Sequence, residues 1–277
     1  MRAAVIGHVE WVEFVRVETF PEPGDIVHAD GSWCVAAGGG AVAAVQLARL
    51  GCESHLFTVL GDDELGRRAQ TELEALGVRV HAATVSEPSR RAFTHVDETG
   101  ERTITVIGEK LRPSGGDASL PWEELRLADC AYFTGGDPEA LRKGRWAPVL
   151  VATARELPTL QRAGVELDAL VGSALDEGER YQAGELEPPP KLVVATSGRL
   201  GGWAQPGGPF EAALKPGPIE DTYGAGDCFA AGLTFALGRG DEPRAALALA
   251  ARAGATVITG RGPYGRMLEA SEVAREG

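Results

Sequence analysis

Short apolar runs alternate along the chain with longer stretches of helical period. The runs fall at residues 3–6, 56–60, 131–133, 149–152, 169–171 and 192–195. Between them the spacing predicts helices over 41–50, 64–76, 139–145 and 174–181, and two consecutive C-terminal helices over 225–237 and 243–258. Uninterrupted apolar strands are those buried on both faces, so this alternation predicts an α/β protein with a mostly parallel central sheet. Two segments break the rhythm with a strand-like alternation. One runs over about 9–36 around Pro21-Glu22-Pro23-Gly24, the other over about 80–107 around the turn Asp97-Glu98-Thr99-Gly100. Together they predict a small β-sheet projecting from the core as a lid over one mouth. The expected organisation is a single domain, 1–277, with the lid made by these two segments and the α/β/α core by the rest.

Composition narrows the functions available to such a fold. The 277 residues carry 27 Lys+Arg against 40 Asp+Glu, a formal charge of −13. Duplex DNA and anionic membrane surfaces are bound through clustered positive charge, so neither is an expected partner. Lys110, Lys143, Lys191 and Lys215 are the lysines, so a mechanism that needs one has few candidates. Cys34, Cys52, Cys130 and Cys228 lack a C-x-x-C spacing and read as buried thiols rather than a zinc or disulfide framework. The apolar run at the N-terminus is too short for a signal peptide, and a cytoplasmic location is expected.

The segment with most chemistry is Asp221-Thr222-Tyr223-Gly224-Ala225-Gly226-Asp227, just before an apolar helix. Small residues there leave backbone N–H groups free at the helix N-terminus, where they and the helix dipole attract an anion. Asp227 falls in the first turn, where a carboxylate can take a hydroxyl proton while the amides stabilise phosphoryl charge. The plainer reading is that Asp227 complements the helix dipole and the glycines make a turn. The residues alone leave both open.

Continued through Cys228, Phe229, Ala230, Ala231 and Gly232, this segment resembles the C-terminal signature of the PfkB (ribokinase-like) carbohydrate kinases. Four further stretches are similar to family elements in the same order. They are Leu47-Ala48-Arg49-Leu50-Gly51 after a glycine cluster, Gly61-Asp62-Asp63-Glu64-Leu65-Gly66, Thr99-Gly100-Glu101-Arg102-Thr103-Ile104, and Thr196-Ser197-Gly198-Arg199-Leu200-Gly201. The resemblance implies ATP as phosphoryl donor, Mg²⁺, and a dimer through the lid sheets. It implies Asp227 as base, with Gly224, Ala225 and Gly226 as anion hole. It places Thr196, Ser197, Gly198, Gly201 and Thr222 at the nucleotide, and Gly38, Gly39 and Gly40 where substrate approaches the backbone. The chain also departs from the pattern. Val42 and Val12 stand where the family has an Asn and an Asp that hold the sugar, leaving His8 and Glu10 as polar substrate contacts. The N-x-x-E element associated with Mg²⁺ is Ser173-x-x-Asp176 here, so Asp176 is the metal candidate.

The expected activity is therefore ATP- and Mg²⁺-dependent phosphorylation of a hydroxyl on a small molecule, a sugar or sugar derivative. Two alternatives accompany it. The losses at Val12 and Val42 suit a non-catalytic nucleotide or metabolite binder on a kinase scaffold. Gly38-x-Gly40-x-x-Ala43, with Asp62 after the next strand, matches a Rossmann fingerprint and an NAD-type oxidoreductase. Arg90 and Arg91 read as a solvated face, Trp11, Phe14 and Trp33 as lid core or interface, and Gly260-x-Gly262-x-x-Gly265 as a loop.

Overall fold

In the computed structural model, which describes residues 1–274, the apolar runs become the strands of one nine-stranded sheet. The strands of the parallel part are β1 (Arg2–Ile6), β4 (Glu53–Gly61), β5 (Val78–Val85), β8 (Cys130–Phe133), β9 (Val149–Thr153), β10 (Ala169–Ser173) and β11 (Val193–Thr196). An antiparallel hairpin, β12 (Gly202–Gln205) and β13 (Gly208–Phe210), closes one edge, giving the order β13-β12-β11-β10-β9-β8-β1-β4-β5. The helices are α1 (Gly39–Arg49), α2 (Glu64–Ala75), α3 (Pro138–Gly144), α4 (Leu157–Ala163), α5 (Ala225–Arg239), α6 (Pro243–Val257) and α7 (Ala270–Val273).

Side chains on a strand alternate between its two faces, and central β1 shows what that does here. Ala3 and Val5 join the hydrophobic core formed with α1, α2, α5 and α6, whereas Ala4 and Ile6 join a second core formed with α3 and α4. Every one of these four residues is at most 1% exposed, so β1 is apolar throughout because both faces are covered. The result is a three-layer α/β/α body. Among the described residues no helix is long and apolar enough to cross a membrane.

The second sheet is the lid, built from β2 (Glu10–Arg16), β3 (Gly31–Ala37), β6 (Arg91–Val96) and β7 (Arg102–Ile107) in the order β3-β2-β6-β7. Val12, Phe14, Ala36, Ala92 and Val96 are buried against the body, while β7 is exposed along its length. Phe14 stacks on Trp33 at 5.0 Å between centroids and meets Tyr223 edge-on, so these aromatics belong to the packing between lid and core. Trp11 lies under the Arg68 guanidinium at 4.5 Å. A cap fixes where the lid begins. Asp63 opens α2 by accepting from the Gly66 N–H, and its carboxylate also accepts from the Ser89 N–H and hydroxyl, just before β6. Gly66 is needed there, because a Cβ would stand 2.2 Å from the Gly61 carbonyl oxygen.

Four expectations change. Residues 80–85 lie on β5 in the large sheet, so the second lid segment starts later than 80. Residues 174–181 form only a single 3₁₀ turn, Glu177–Glu179, because Asp176 accepts from the Gly178 N–H and Arg155 bridges Asp176 and Glu179. The short helix α4 and the hairpin β12–β13 lack a strong apolar period and were not anticipated. Gly38-x-Gly40-x-x-Ala43 follows β3, a lid strand, rather than a strand of the large sheet, so there is no Rossmann βαβ unit and the oxidoreductase reading lapses.

At the opposite end of β4, buried His55 lies 2.9 Å from His81 through its Nδ1 and 3.3 Å from Glu53 through its Nε2. The Glu53 carboxylate only accepts, so His55 donates from Nε2 and accepts at Nδ1 from His81 Nε2–H. Burial holds both imidazoles below their ordinary pKa, so the folded protein keeps them neutral. Stability from this pair is therefore complete above about pH 6.5 and is lost as the pH falls. Urea unfolding between pH 7 and 5 should show a steeper loss in the wild type than in His81→Gln; parallel curves would contradict this origin.

Candidate active site

The first turn of α5 starts from Gly224 in the left-handed region (φ 84°), with no side chain capping it. Among the described residues, the N–H groups of Gly226 and Asp227 find no acceptor, and nothing lies within 4 Å of where a Gly226 side chain would be. Free donors, an open approach and the positive end of a 15-residue helix coincide. Asp227 belongs to this turn, and burial pushes its carboxyl up to about 6. Arg102 and Arg155 act the other way, and Glu179 and Glu10 reinforce the rise.

The preceding turn is held from two sides. The buried Asp221 carboxylate accepts from the N–H groups of Tyr223 (2.8 Å) and Gly262 (3.1 Å). From the lid, Arg102 donates to the carbonyl (3.0 Å) and hydroxyl (2.8 Å) of Thr222, while the Thr222 N–H donates to the Gly100 carbonyl. The Thr222 hydroxyl is thus engaged by the lid hairpin. The loop 260–265 reaches the lid too, with Arg261 over the Trp33 ring at 4.0 Å.

Across from this turn lie the end of β1 and the start of α1. Gly39 is the meeting point: a Cβ there would lie 2.8 Å from Thr134 Oγ1, 2.9 Å from Asp227 Oδ1 and 3.6 Å from His8 Cε1. Any side chain would fill the space on which these groups converge. Gly40 donates from its N–H to the His8 carbonyl, and Gly38 (φ 90°) donates to the Tyr223 hydroxyl, which donates in turn to Glu10 Oε1. Burial raises Glu10 above the usual carboxylate range, and burial with the Lys110 and Arg90 charges holds His8 well below its ordinary value. Glu10 Oε2 lies 3.2 Å from Arg90 Nε, yet neither atom is aligned for a hydrogen bond, and His8 Nδ1 also lacks one. Glu10 Oε2 and Arg90 Nε offset each other as an ion pair, which leaves His8 Nδ1 as the buried polar atom here without a partner among the described residues.

Arg90 is thereby moved from a solvated face to a half-buried ion pair with Glu10, its side chain 17% exposed. Lys110, Arg112, Glu156 and Thr134 escaped the sequence reading. Their one signal was Lys110 and Arg112 two apart around buried Leu111, the period of an extended segment with one wet face. Val12 and Val42 are fully buried, and Val42 Cγ1 would stand 3.1 Å from a Gly224 Cβ, so it forms an apolar wall beside the α5 turn.

Thr196, Ser197, Gly198 and Gly201 follow β11 into a 3₁₀ turn (Gly198–Leu200) closed by the Ser197 N–H on the Gly201 carbonyl. The parallel register pairs Thr196 with Ser173, which sets this loop beside the turn containing Asp176 and Glu179. Asp176 lies 2.6 Å from Arg155, which holds it below the usual carboxylate range. Among the described residues no group of three or more metal-ligating side chains occurs. Glu179, accepting from the Ser173 N–H, is the acid of this turn that acts on Asp227.

This arrangement has a family. The pfkB family carbohydrate kinase model matches residues 2–155 and 164–270. The chain belongs to the pfkB family. It is 29% identical over 272 residues to the ATP-dependent ribose-1-phosphate kinase of Halopiger xanaduensis, covering 88% of each chain. With the ribokinase of Bacillus subtilis it shares 26% identity, covering 97% of each. Among solved structures, ribokinase from Thermotoga maritima superposes with a TM-score of 0.78 at 22% identity, covering 99% of this chain and 98% of that one. Arabidopsis thaliana ribokinase complexed with ribose and ATP gives 0.75 at 18% identity, covering 99% and 97%. The fold is ribokinase-like, and the protein is a carbohydrate kinase, a phosphotransferase to an alcohol group.

Arg102 is the leading charge that favours ionised Asp227. Arg102→Gln should therefore move the Asp227 pKa above about 6, read by carboxyl-carbon NMR titration, and loosen the 97–107 hairpin in hydrogen exchange. An unmoved titration would refute the coupling.

Proposed function

We propose that this kinase transfers the γ-phosphoryl group of ATP to a sugar hydroxyl, with Asp227 as general base and the amides of 224–226 as anion hole. The observation that carries the reading is the convergence at Gly39: Asp227 Oδ1, Thr134 Oγ1 and His8 face one small space, beside free N–H groups at a helix N-terminus. A hydroxyl seated there can pass its proton to Asp227 while the N–H groups meet the charge of the phosphoryl group in flight. His8 and Glu10 orient the acceptor: His8 Nδ1 is buried without a partner and suits a hydroxyl, and Glu10 lies beside it, held by Tyr223 and Arg90. Thr196, Ser197, Gly198 and Gly201 line the nucleotide, and the relative bound to ribose and ATP supports that donor. Mg²⁺ fits the donor set: Asp176 and Glu179 share a turn next to this loop, and a cation there would neutralise phosphate charge. A lid held down at Thr222 keeps water from the reacting atoms.

The relatives named ATP-dependent ribose-1-phosphate kinase and ribokinase support a sugar as the acceptor. A non-catalytic binder on the same scaffold would have no use for a carboxyl tuned to about 6 at the anion site.

A base that must be ionised makes kcat/KM rise with pH through about 6, the value burial gives Asp227. Asp227→Asn should bind ATP as the wild type does and lose at least ~10²-fold in turnover. ATP-consumption assays with a sugar panel and calorimetry with ATP measure the two; full phosphotransfer by the variant would sink the assignment.

A further inference from the structure

Resting on the kinase reading above, we infer that Tyr223 is a positioning residue for the acceptor sugar. It acts through Glu10, which its hydroxyl holds in place beside the glycines that open α1.

Tyr223 belongs to the turn before α5, yet its side chain ends on the opposite wall of the site. Asp221 Oδ1 pins its N–H at 2.8 Å, and its ring meets Phe14 edge-on at 5.1 Å between centroids. The residue is 5% exposed, so the ring is gripped between lid and body. At the tip, the hydroxyl accepts from the Gly38 N–H at 3.3 Å. That bond leaves the hydroxyl proton for Glu10 Oε1, also at 3.3 Å. One side chain thus spans the gap between the α5 turn and the start of α1.

Glu10 matters because the walls around it are apolar. A Cβ on Gly38 would lie 3.2 Å from Glu10 Cγ and 3.2 Å from His8 Nε2, so these two side chains flank the glycines. Val12 and Val42, both fully buried, offer an acceptor no hydrogen bond. A carboxylate accepts hydroxyl protons at both oxygens only while it is ionised; once protonated, it becomes a donor at one of them. Burial pushes Glu10 toward the protonated form, and Arg90, Tyr223 and Lys110 oppose that push. Arg90 arrives just before β6 and Lys110 just after β7. Burial keeps His8 neutral, and Asp227 is the other carboxylate in reach. Arg90 Nε stands 3.2 Å from Glu10 Oε2 without being aligned for a hydrogen bond. Among the described residues, the Tyr223 hydroxyl is therefore the side-chain donor that fixes the direction of Glu10. Burial also lifts the Tyr223 hydroxyl well above its ordinary pKa, so it keeps the proton it donates.

Tyr223→Phe keeps the ring against Phe14 and removes the hydroxyl alone. Glu10 should then titrate at a higher pH, read by carboxyl-carbon NMR, and the Gly38 amide should lose protection in hydrogen exchange. With D-ribose as probe, KM and the calorimetric Kd should weaken roughly 10-fold or more, the scale of a hydrogen bond to a charged group. The Kd for ATP should hold, and kcat should stay within about threefold, because Asp227 and the α5 amides are untouched. The loss of ribose affinity should deepen as the pH falls, beginning at a higher pH than in the wild type. Glu10→Gln should abolish that pH dependence, and adding Tyr223→Phe to it should cost little more, since one residue acts through the other. An unmoved Glu10 titration would overturn the inference. So would ribose and ATP affinities falling together, as a merely structural role predicts, or losses that simply add. A wild type that phosphorylates neither D-ribose nor any other aldose or polyol would remove the kinase reading, while the Glu10 titration and Gly38 exchange would still decide the hold of Tyr223 on Glu10.

Discussion

A buried carboxylate, Asp221, holds the turn that opens α5, and the rest of the site depends on that turn. Its two oxygens accept from the Tyr223 and Gly262 N–H groups, tying the residues before the helix to the loop 260–265. With Asp221 spent on neighbouring amides, Gly224 begins α5 without a side-chain cap, and among the described residues the amides of Gly226 and Asp227 stay free. Most helices satisfy their first N–H groups locally with Ser, Thr, Asp or Asn. Left without a side-chain partner, the Gly226 and Asp227 amides are open to water or to a ligand. The lid adds the other half of the constraint, through Arg102 and Gly100 on Thr222, so the position of β6–β7 and the geometry of the α5 turn move together.

The charge of −13 tells little about the sign of the pocket. Arg90, Arg102, Lys110, Arg112 and Arg155 gather around the site, with Lys110 and Arg112 arriving together on one segment. Most are matched by acids close at hand, and backbone dipoles add positive field that no residue count records. A formal charge averages over a surface, whereas a ligand feels only the groups within a few ångströms, in a medium that screens them weakly.

The strands of the body were legible because burial on both faces demands unbroken apolar runs, and β1, β8 and β10 are such runs. The lid was legible from its turns and its period of two. The stretch 174–181 was misread because its helical spacing competed with side-chain bonds at Asp176 and Glu179 that only the fold supplies. Arg90 was misread because its partner, Glu10, is eighty residues away in sequence, across the β2–β6 parallel pairing.

Sequence by itself determined the fold class, most strands and helices of the body, and a segment able to place a carboxylate beside free amides. These follow from local period and local composition, which survive without knowledge of neighbours. Tertiary structure decided what surrounds that carboxylate: the convergence on Gly39, the Tyr223–Glu10–Arg90 chain, and the sharing of Glu156 by Lys110 and Arg112. Those contacts join residues from distant parts of the chain, and neither spacing nor propensity encodes them. Their distances, burial and charge balance exist only once the sheet and lid have closed on one another.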